Sequence, residues 1–194
     1  MKKLIYLHGF NSSPESLKAK MTADFIRETS APFELIIPAL PSSPIAAIEL
    51  VISLIKSLRA EDLAGFIGSS LGGYFSLYLQ QLACLNFTPR VVLINPAIRP
   101  HDVLVDYLGE NVNPYTGEKY VVELSHMDDL RSLSVPVIAD GRNTFLLTQT
   151  GDEVLDFQQA STTLSDAKMW VQFGGDHSFQ HYDLVLPSII NFLE

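Results

Sequence analysis

Short apolar runs alternate with segments of helical periodicity along this chain. The runs with the length and composition of buried strands are residues 4–7, 34–38, 62–67, 90–96, 143–149 and 168–173. Short apolar strands separated by helices imply right-handed crossover connections and a sheet that is covered on both faces. The pattern therefore predicts an α/β fold with a mostly parallel, six-stranded sheet and helices on both sides.

Start signals place helices between these strands. Ser12 and Glu15 have the spacing of a capping box, so we expect a helix from this point to about residue 27. Ser43-Pro44 opens another helix, whose apolar residues recur with a period of about 3.6. The last helix is expected over residues 186–193, beginning at Pro187.

Residues 99–140 interrupt the alternation and are too long for an ordinary connection. They leave the carboxyl end of the fourth predicted strand, the edge at which open α/β sheets bind ligands. We expect them to form a lid or wall over this edge, with Leu104, Tyr107 and Leu108 lining a substrate pocket. The alternative is a surface excursion that packs on its own helix and contacts no substrate.

Composition narrows the classes of function. The 194 residues suit a single domain over 1–194, and 47% hydrophobic with 18% charged residues is typical of a folded chain. A formal net charge of -9 argues against nucleic-acid binding, which depends on clustered Lys and Arg. The chain carries neither a transmembrane-length apolar run nor a signal-peptide core, so a cytoplasmic location is expected. Cys84, the single cysteine, excludes an intrachain disulfide and is expected to be a buried apolar residue.

The pentapeptide at residues 68–72, Gly-Ser-Ser-Leu-Gly, directly follows the third predicted strand and precedes a helical pattern. It matches G-x-S-x-G, the nucleophile elbow of serine hydrolases of the α/β-hydrolase fold. The turn brings the residues two before and two after its apex close together, so both must be small. Gly68 and Gly72 flank Ser70 in this way, whereas Ile67 and Leu71 would flank Ser69. Ser70 is therefore the candidate nucleophile; the alternative is a glycine turn that serves packing alone.

A serine nucleophile needs a base within hydrogen-bond reach and an acid that orients the base. In α/β-hydrolases these follow the serine in the order acid, then histidine, at the ends of later strands. The fifth predicted strand runs into Asp152 and the sixth into His177, which predicts the triad Ser70-Asp152-His177. Helix capping is the alternative role of Asp152, and a structural role is the alternative for His177.

Backbone donors are expected near the nucleophile. The His8-Gly9-Phe10 loop follows the first strand, where this fold places its oxyanion loop. We expect the amide N–H groups of Phe10 and Leu71 to form the oxyanion hole. His8 is expected to brace this loop rather than to transfer protons.

Five segments resemble the YqiA-like esterases, small bacterial α/β-hydrolases without a large cap domain. They are residues 7–14, 68–74, 93–97, 149–156 and 174–179, and residues 113–118 also look like that family's middle segment. The resemblance runs nearly end to end. It implies a hydrolase of carboxylic esters or thioesters with the roles given above for Ser70, Asp152 and His177.

The expected chemistry is therefore two-step hydrolysis of a small acyl ester or thioester through an acyl-enzyme, with no metal and no organic cofactor. Perhydrolysis, in which peroxide replaces water, would use the same triad and stays open. A non-catalytic binding protein of the hydrolase fold is a further alternative, although it predicts a broken triad. The acyl length, the leaving group and the oligomeric state are not predicted by the sequence.

Overall fold

The computed structural model describes residues 1–82, 85, 87–135 and 141–194. Within these residues the strands are β1 (Lys2–Leu7), β2 (Phe33–Ile36), β3 (Leu63–Ser69), β4 (Arg90–Ile94), β5 (Gly109–Val112), β6 (Lys119–Val122), β7 (Thr144–Gln149) and β8 (Lys168–Gln172). Six of them form one sheet in the order β2-β1-β3-β4-β7-β8, with every neighbouring pair parallel. This confirms the predicted six-stranded sheet.

The helices of the described residues are α1 (Leu17–Thr29), α2 (Pro44–Ser57), α3 (Leu71–Gln80), α4 (Pro100–Leu104), α5 (Leu124–Ser132), α6 (Phe157–Thr163) and α7 (Tyr182–Leu193). Side chains alternate between the two faces of the sheet. In β1, Leu4 and Tyr6 join a buried cluster with residues of α1 and α7, whereas Ile5 and Leu7 join one with residues of α2 and α3. Helices thus cover both faces, as predicted, and this leaves the carboxyl ends of the strands free to carry a site.

Two helix starts differ from the prediction. Helix α1 begins at Leu17 with Ser16 as its N-cap, and the predicted capping box does not form. Instead, the Ser13 hydroxyl accepts a hydrogen bond from the Glu15 N–H, which builds a turn before the helix. The start of α2 is as predicted, because Ser43 is its N-cap and accepts from the Ala46 N–H.

Helix α7 begins at Tyr182, five residues earlier than expected, so Pro187 lies inside it. A proline in a helix removes one backbone hydrogen bond. The helix nevertheless continues through it, because burial of Val185, Leu186 and Ile189 against the sheet offsets that loss.

The segment over residues 99–140 contains structure that the sequence did not predict. Helix α4 and a short 3-10 turn lead into an antiparallel hairpin of β5 and β6, and α5 follows. Val122, Met127 and Leu130 are buried in the same cluster as α2 and α3, so the segment packs on the sheet's helical layer. Residues 136–140, and the predicted buried thiol of Cys84, lie outside the described residues. None of the helices in the described ranges is both long and apolar enough to cross a membrane.

Candidate active site

Ser70 occupies the sharp turn between β3 and α3. Its backbone φ is 54°, in the left-handed region that non-glycine residues seldom adopt. Both flanking glycines are required by close contacts: a Cβ on Gly72 would lie 2.0 Å from the Leu7 carbonyl oxygen, and one on Gly68 would lie 2.3 Å from the Gly72 carbonyl oxygen. Ser69 is the last residue of β3 and is buried. The strained turn therefore presents Ser70, not Ser69, at the sheet edge.

The side chains of Ser70, His177 and Asp152 form a continuous hydrogen-bonded chain. His177 Nε2 lies 3.1 Å from Ser70 Oγ, and His177 Nδ1 lies 2.9 Å from Asp152 Oδ2. The Asp152 side chain is only 1% exposed, whereas that of His177 is 25% exposed. This arrangement can move a proton from the serine hydroxyl to the imidazole while the carboxylate fixes the ring's tautomer.

Asp152 is itself held in place. Its Oδ1 accepts hydrogen bonds from the backbone N–H groups of Val154 and Leu155. It does not cap the next helix, because Asp156 is the N-cap of α6. The carboxylate thus closes a tight turn with one oxygen while both of its oxygens lie within hydrogen-bond distance of His177.

His8, in the loop after β1, is buried and makes two hydrogen-bond contacts with the backbone. Its Nδ1 lies 3.0 Å from the Gly9 carbonyl oxygen, and its Nε2 accepts from the Leu40 N–H at 3.2 Å. A ring that donates at Nδ1 and accepts at Nε2 is neutral. Burial lowers the pKa of His8, which favours the same neutral form. His8 therefore connects the loop after β1 to the segment after β2.

The loop after β1 lies directly against the nucleophile. A Cβ on Gly9 would lie 3.1 Å from the Ser70 Cβ. Within the part of the chain that the structure describes, neither the Phe10 N–H nor the Leu71 N–H donates a hydrogen bond. Leu71 is the first residue of α3, where backbone N–H groups carry partial positive charge and have no partner in the helix. Both predicted oxyanion donors are thus free to bind a ligand atom.

The β5–β6 hairpin packs on this same loop. Tyr120 Oη lies 2.5 Å from Asn11 Oδ1, and Asn113 Nδ2 donates to the Ser12 carbonyl at 2.9 Å. The Phe10 ring makes edge contacts with Tyr107 and Tyr120 at centroid distances of 5.1 and 6.1 Å. The segment over residues 99–140 therefore supports the loop that carries Phe10.

A cavity of about 160 Å³ opens beside Ser70 and His177. Leu104 and Tyr107, both predicted pocket residues, line it, whereas Leu108 does not and is 44% exposed. The other lining residues are Phe10, Asn11, Leu71, Ala97, Pro100, Val103, Val154 and Leu155. Because nearly all of these side chains are apolar, the cavity can hold a short hydrocarbon chain next to the nucleophile.

Two buried residues near the triad were not predicted from the sequence. Asn95 and Gln149 are buried amides at the ends of β4 and β7, and both contact the backbone around His177. The available signal was a polar residue ending an otherwise apolar strand. Among the described residues, no group of three or more His, Cys, Asp or Glu side chains is placed to hold a metal ion.

The sequence was compared with those of known protein families. The sequence model of an uncharacterised protein family, UPF0227, matches residues 3–194. The chain belongs to the UPF0227 family. This confirms the family expected from the motifs, which cover the loop after β1, the Ser70 turn and the Asp152 and His177 segments.

Solved structures show that this UPF0227 protein has the α/β-hydrolase fold. A protein from Agrobacterium vitis S4 superposes with a TM-score of 0.77 at 20% identity, covering 100% of this chain and 88% of the other. Mouse alpha/beta hydrolase domain-containing protein 10 gives 0.72 at 16% identity, covering 98% and 89%. The esterase domain of a Rhodothermus marinus protein gives 0.71 at 18% identity, covering 98% and 85%. At these identities the likeness concerns the fold.

Proposed function

We propose that this UPF0227 protein is a serine hydrolase that cleaves carboxylic esters or acyl thioesters through an acyl-enzyme. The observation that carries the proposal is the imidazole of His177, which lies 3.1 Å from Ser70 Oγ on one side and 2.9 Å from Asp152 Oδ2 on the other. Nucleophile, base and orienting acid are the parts that acyl transfer requires. The esterase domain among the fold relatives is consistent with this class of reaction.

The reaction proceeds in two halves. His177 Nε2 accepts the Ser70 proton as Oγ attacks the carbonyl carbon, and Asp152 stabilises the imidazolium that forms. The amides of Phe10 and Leu71 hold the developing oxyanion. His177 then gives its proton to the leaving alcohol or thiol. In the second half His177 takes a proton from water as the water oxygen attacks the acyl carbon, and it returns this proton to Ser70 Oγ as the acid leaves.

The acyl group and the leaving group of the substrate contact different cavities. The acyl chain occupies the apolar cavity of about 160 Å³ beside Ser70. A larger cavity of about 410 Å³ also borders Gly9, and its lining includes the polar side chains of Ser12, Lys18 and Tyr115 beside apolar ones such as Leu17 and Met21. It offers room for a polar leaving group, whereas the small apolar cavity favours short acyl chains.

The test is hydrolysis of p-nitrophenyl esters and acyl thioesters of graded chain length by the full chain. We expect turnover with the highest kcat/KM on short acyl groups. Adding peroxide to the same assay identifies perhydrolysis as peracid formation. No turnover of any ester or thioester would contradict the proposal and favour a non-catalytic binding protein.

A further inference from the structure

His177 lies in a loop, residues 173–181, that has neither helix nor strand. Strand β8 ends at Gln172 and α7 begins at Tyr182, so regular secondary structure does not fix the imidazole. The His177 N–H donates to Glu153 Oε2. Asp176 bonds Ser178 and Gln180 within the loop, whereas side chains of other elements bond the loop backbone on both sides of His177. The position of the proposed base therefore depends on residues outside its own segment.

Gln149 bonds the loop on both sides of His177. It is fully buried at the end of β7. Its Oε1 accepts from the Asp176 N–H at 3.1 Å and from the Gln180 N–H at 2.9 Å. Its Nε2 donates to the Gln180 carbonyl at 2.8 Å. One amide side chain thus satisfies three backbone groups that lie before and after the histidine.

Asn95 adds a second amide from the neighbouring strand. It follows β4 with a left-handed φ of 41° and is 2% exposed. Its Nδ2 donates to the carbonyls of Asp176 and His177 at 3.0 and 3.3 Å. Its Oδ1 accepts from the Gln149 N–H at 3.0 Å, which connects the two amide residues.

The loop backbone is shaped around the Gln149 side chain. Gly175 has a φ of +76°, and a Cβ at this position would lie 2.0 Å from Gln149 Oε1. Only glycine allows the chain to pass so close to the amide in this conformation. Gly175 therefore lets the loop backbone pass directly against the buried amide.

We infer that Asn95 and Gln149 are positioning residues, which hold the His177 backbone so that Nε2 stays within proton-transfer distance of Ser70. The inference rests on the proposed serine-hydrolase function. Neither amide lines the acyl cavity, so they act on the base and not on substrate binding. A misplacement of a catalytic group by about 1 Å can lower a rate by about a hundredfold, which sets the expected size of the effect.

The test compares Gln149→Leu with Gln80→Leu. Gln80 is also a buried amide beside β7, but it bonds the other end of the strand: its Nε2 donates to the Pro89 and Asn143 carbonyls and to Thr144 Oγ1. Both variants lose stability. Gln149→Leu should lower kcat on a short p-nitrophenyl ester by about a hundredfold with KM within about twofold, whereas Gln80→Leu should keep kcat within about threefold.

Milder variants keep the test decisive if Gln149→Leu does not fold. Gln149→Glu retains the accepting oxygen but replaces the donor to Gln180 with an oxygen that opposes the Gln180 carbonyl, so we expect a loss of about tenfold in kcat. Asn95→Asp still accepts from Gln149 but opposes two carbonyl oxygens, and it should also lower kcat at unchanged KM. A kcat within threefold of the wild type in whichever of these variants fold, or an equal loss in Gln80→Leu, would overturn the inference.

A readout without substrate separates this inference from the proposed function. The NMR signal of the His177 Nδ1 proton, assigned by its loss in His177→Ala, reports the bond to Asp152. We expect it to shift or broaden in the Gln149 variants and to stay unchanged in Gln80→Leu. If the wild type hydrolyses no ester but the signal responds in this way, the proposed function fails while the positioning role stands. If the wild type is active and the signal is identical in the Gln149 variants, the positioning role fails alone.

Discussion

Ser70 Oγ and His177 Nε2 lie 3.1 Å apart although 107 positions separate the two residues in the chain. The serine comes from the turn after β3 and the histidine from the loop after β8, at opposite sides of β4 and β7 in the sheet order. Parallel strands bring their carboxyl ends to one edge, so short loops are sufficient to assemble the pair. The contact therefore depends on the intact sheet and on the groups that hold each loop.

Replacement of the two adjacent serines tests the assignment of the elbow. Ser70→Ala should lower kcat/KM on esters by about a thousandfold or more, because the hydroxyl is the proposed nucleophile. Ser69→Ala is the matched control and should retain most activity, since Ser69 is buried at the end of β3 and the His177 imidazole contacts Ser70. Loss of activity in the Ser69 variant with survival in the Ser70 variant would show that the elbow is misassigned.

The apolar cavity should set the acyl-chain preference. Leu104→Ala and Tyr107→Ala remove lining side chains, so each should change the ratio of long-chain to short-chain kcat/KM by roughly tenfold. Leu108→Ala is the control, because Leu108 is exposed and does not line the cavity. An unchanged chain-length preference in the first two variants would show that the segment over residues 99–140 is no pocket wall.

The hairpin should act on catalysis through the loop that carries Phe10. Tyr120→Phe removes the hydroxyl that contacts Asn11 and leaves the ring packed on Phe10. We expect kcat to fall by about three- to tenfold without a change in chain-length preference, since one buttressing hydrogen bond is worth about 1 kcal/mol. Tyr78→Phe, on α3 and outside the hairpin, serves as the control. Equal activity of both variants and the wild type would contradict the buttress.

His8 should make folding stability depend on pH. Its pKa is lowered in the folded protein by burial, so the unfolded chain binds its proton at a higher pH than the folded one does. The contribution of neutral His8 to the free energy of unfolding is complete above about pH 6.5, the ordinary pKa of histidine. It is lost as the pH falls toward the pKa of His8 in the folded protein.

Chemical denaturation between about pH 5 and 8 measures this dependence. His8→Gln should flatten the decline of unfolding free energy below about pH 6.5, whereas His181→Gln, at an exposed position, should not. Parallel curves for the wild type and His8→Gln would show that His8 is not held neutral.

Much of the fold follows from short-range patterns. Buried parallel strands are apolar over consecutive positions, and glycines mark the turns after β3, β7 and β8, so the sheet and the order of Ser70, Asp152 and His177 can be predicted. Helix starts are less certain, because Ser13 closes a local turn in place of a cap and burial of α7 overrides the break expected at Pro187.

Features that depend on tertiary contacts could not be predicted. Strands β5 and β6 are only four residues long and mostly exposed, and the exposed Val121 between Tyr120 and Val122 hides the alternation of β6 in the sequence. Leu104 and Leu108 share a segment, and only the packing of the 3-10 turn separates the buried side chain from the exposed one. Asn95 and Gln149 have no periodic signature, because their role lies in a loop more than 25 residues away.

Covalent capture of the nucleophile tests the central claim most directly. The full chain is treated with a fluorophosphonate, and the modified residue is identified by peptide mass spectrometry. We expect a single adduct on Ser70, no adduct in Ser70→Ala, and much slower labelling in His177→Ala, because the imidazole must remove the serine proton. Absence of an adduct, or labelling of Ser69 or of another residue at the same rate in all three proteins, would contradict the account.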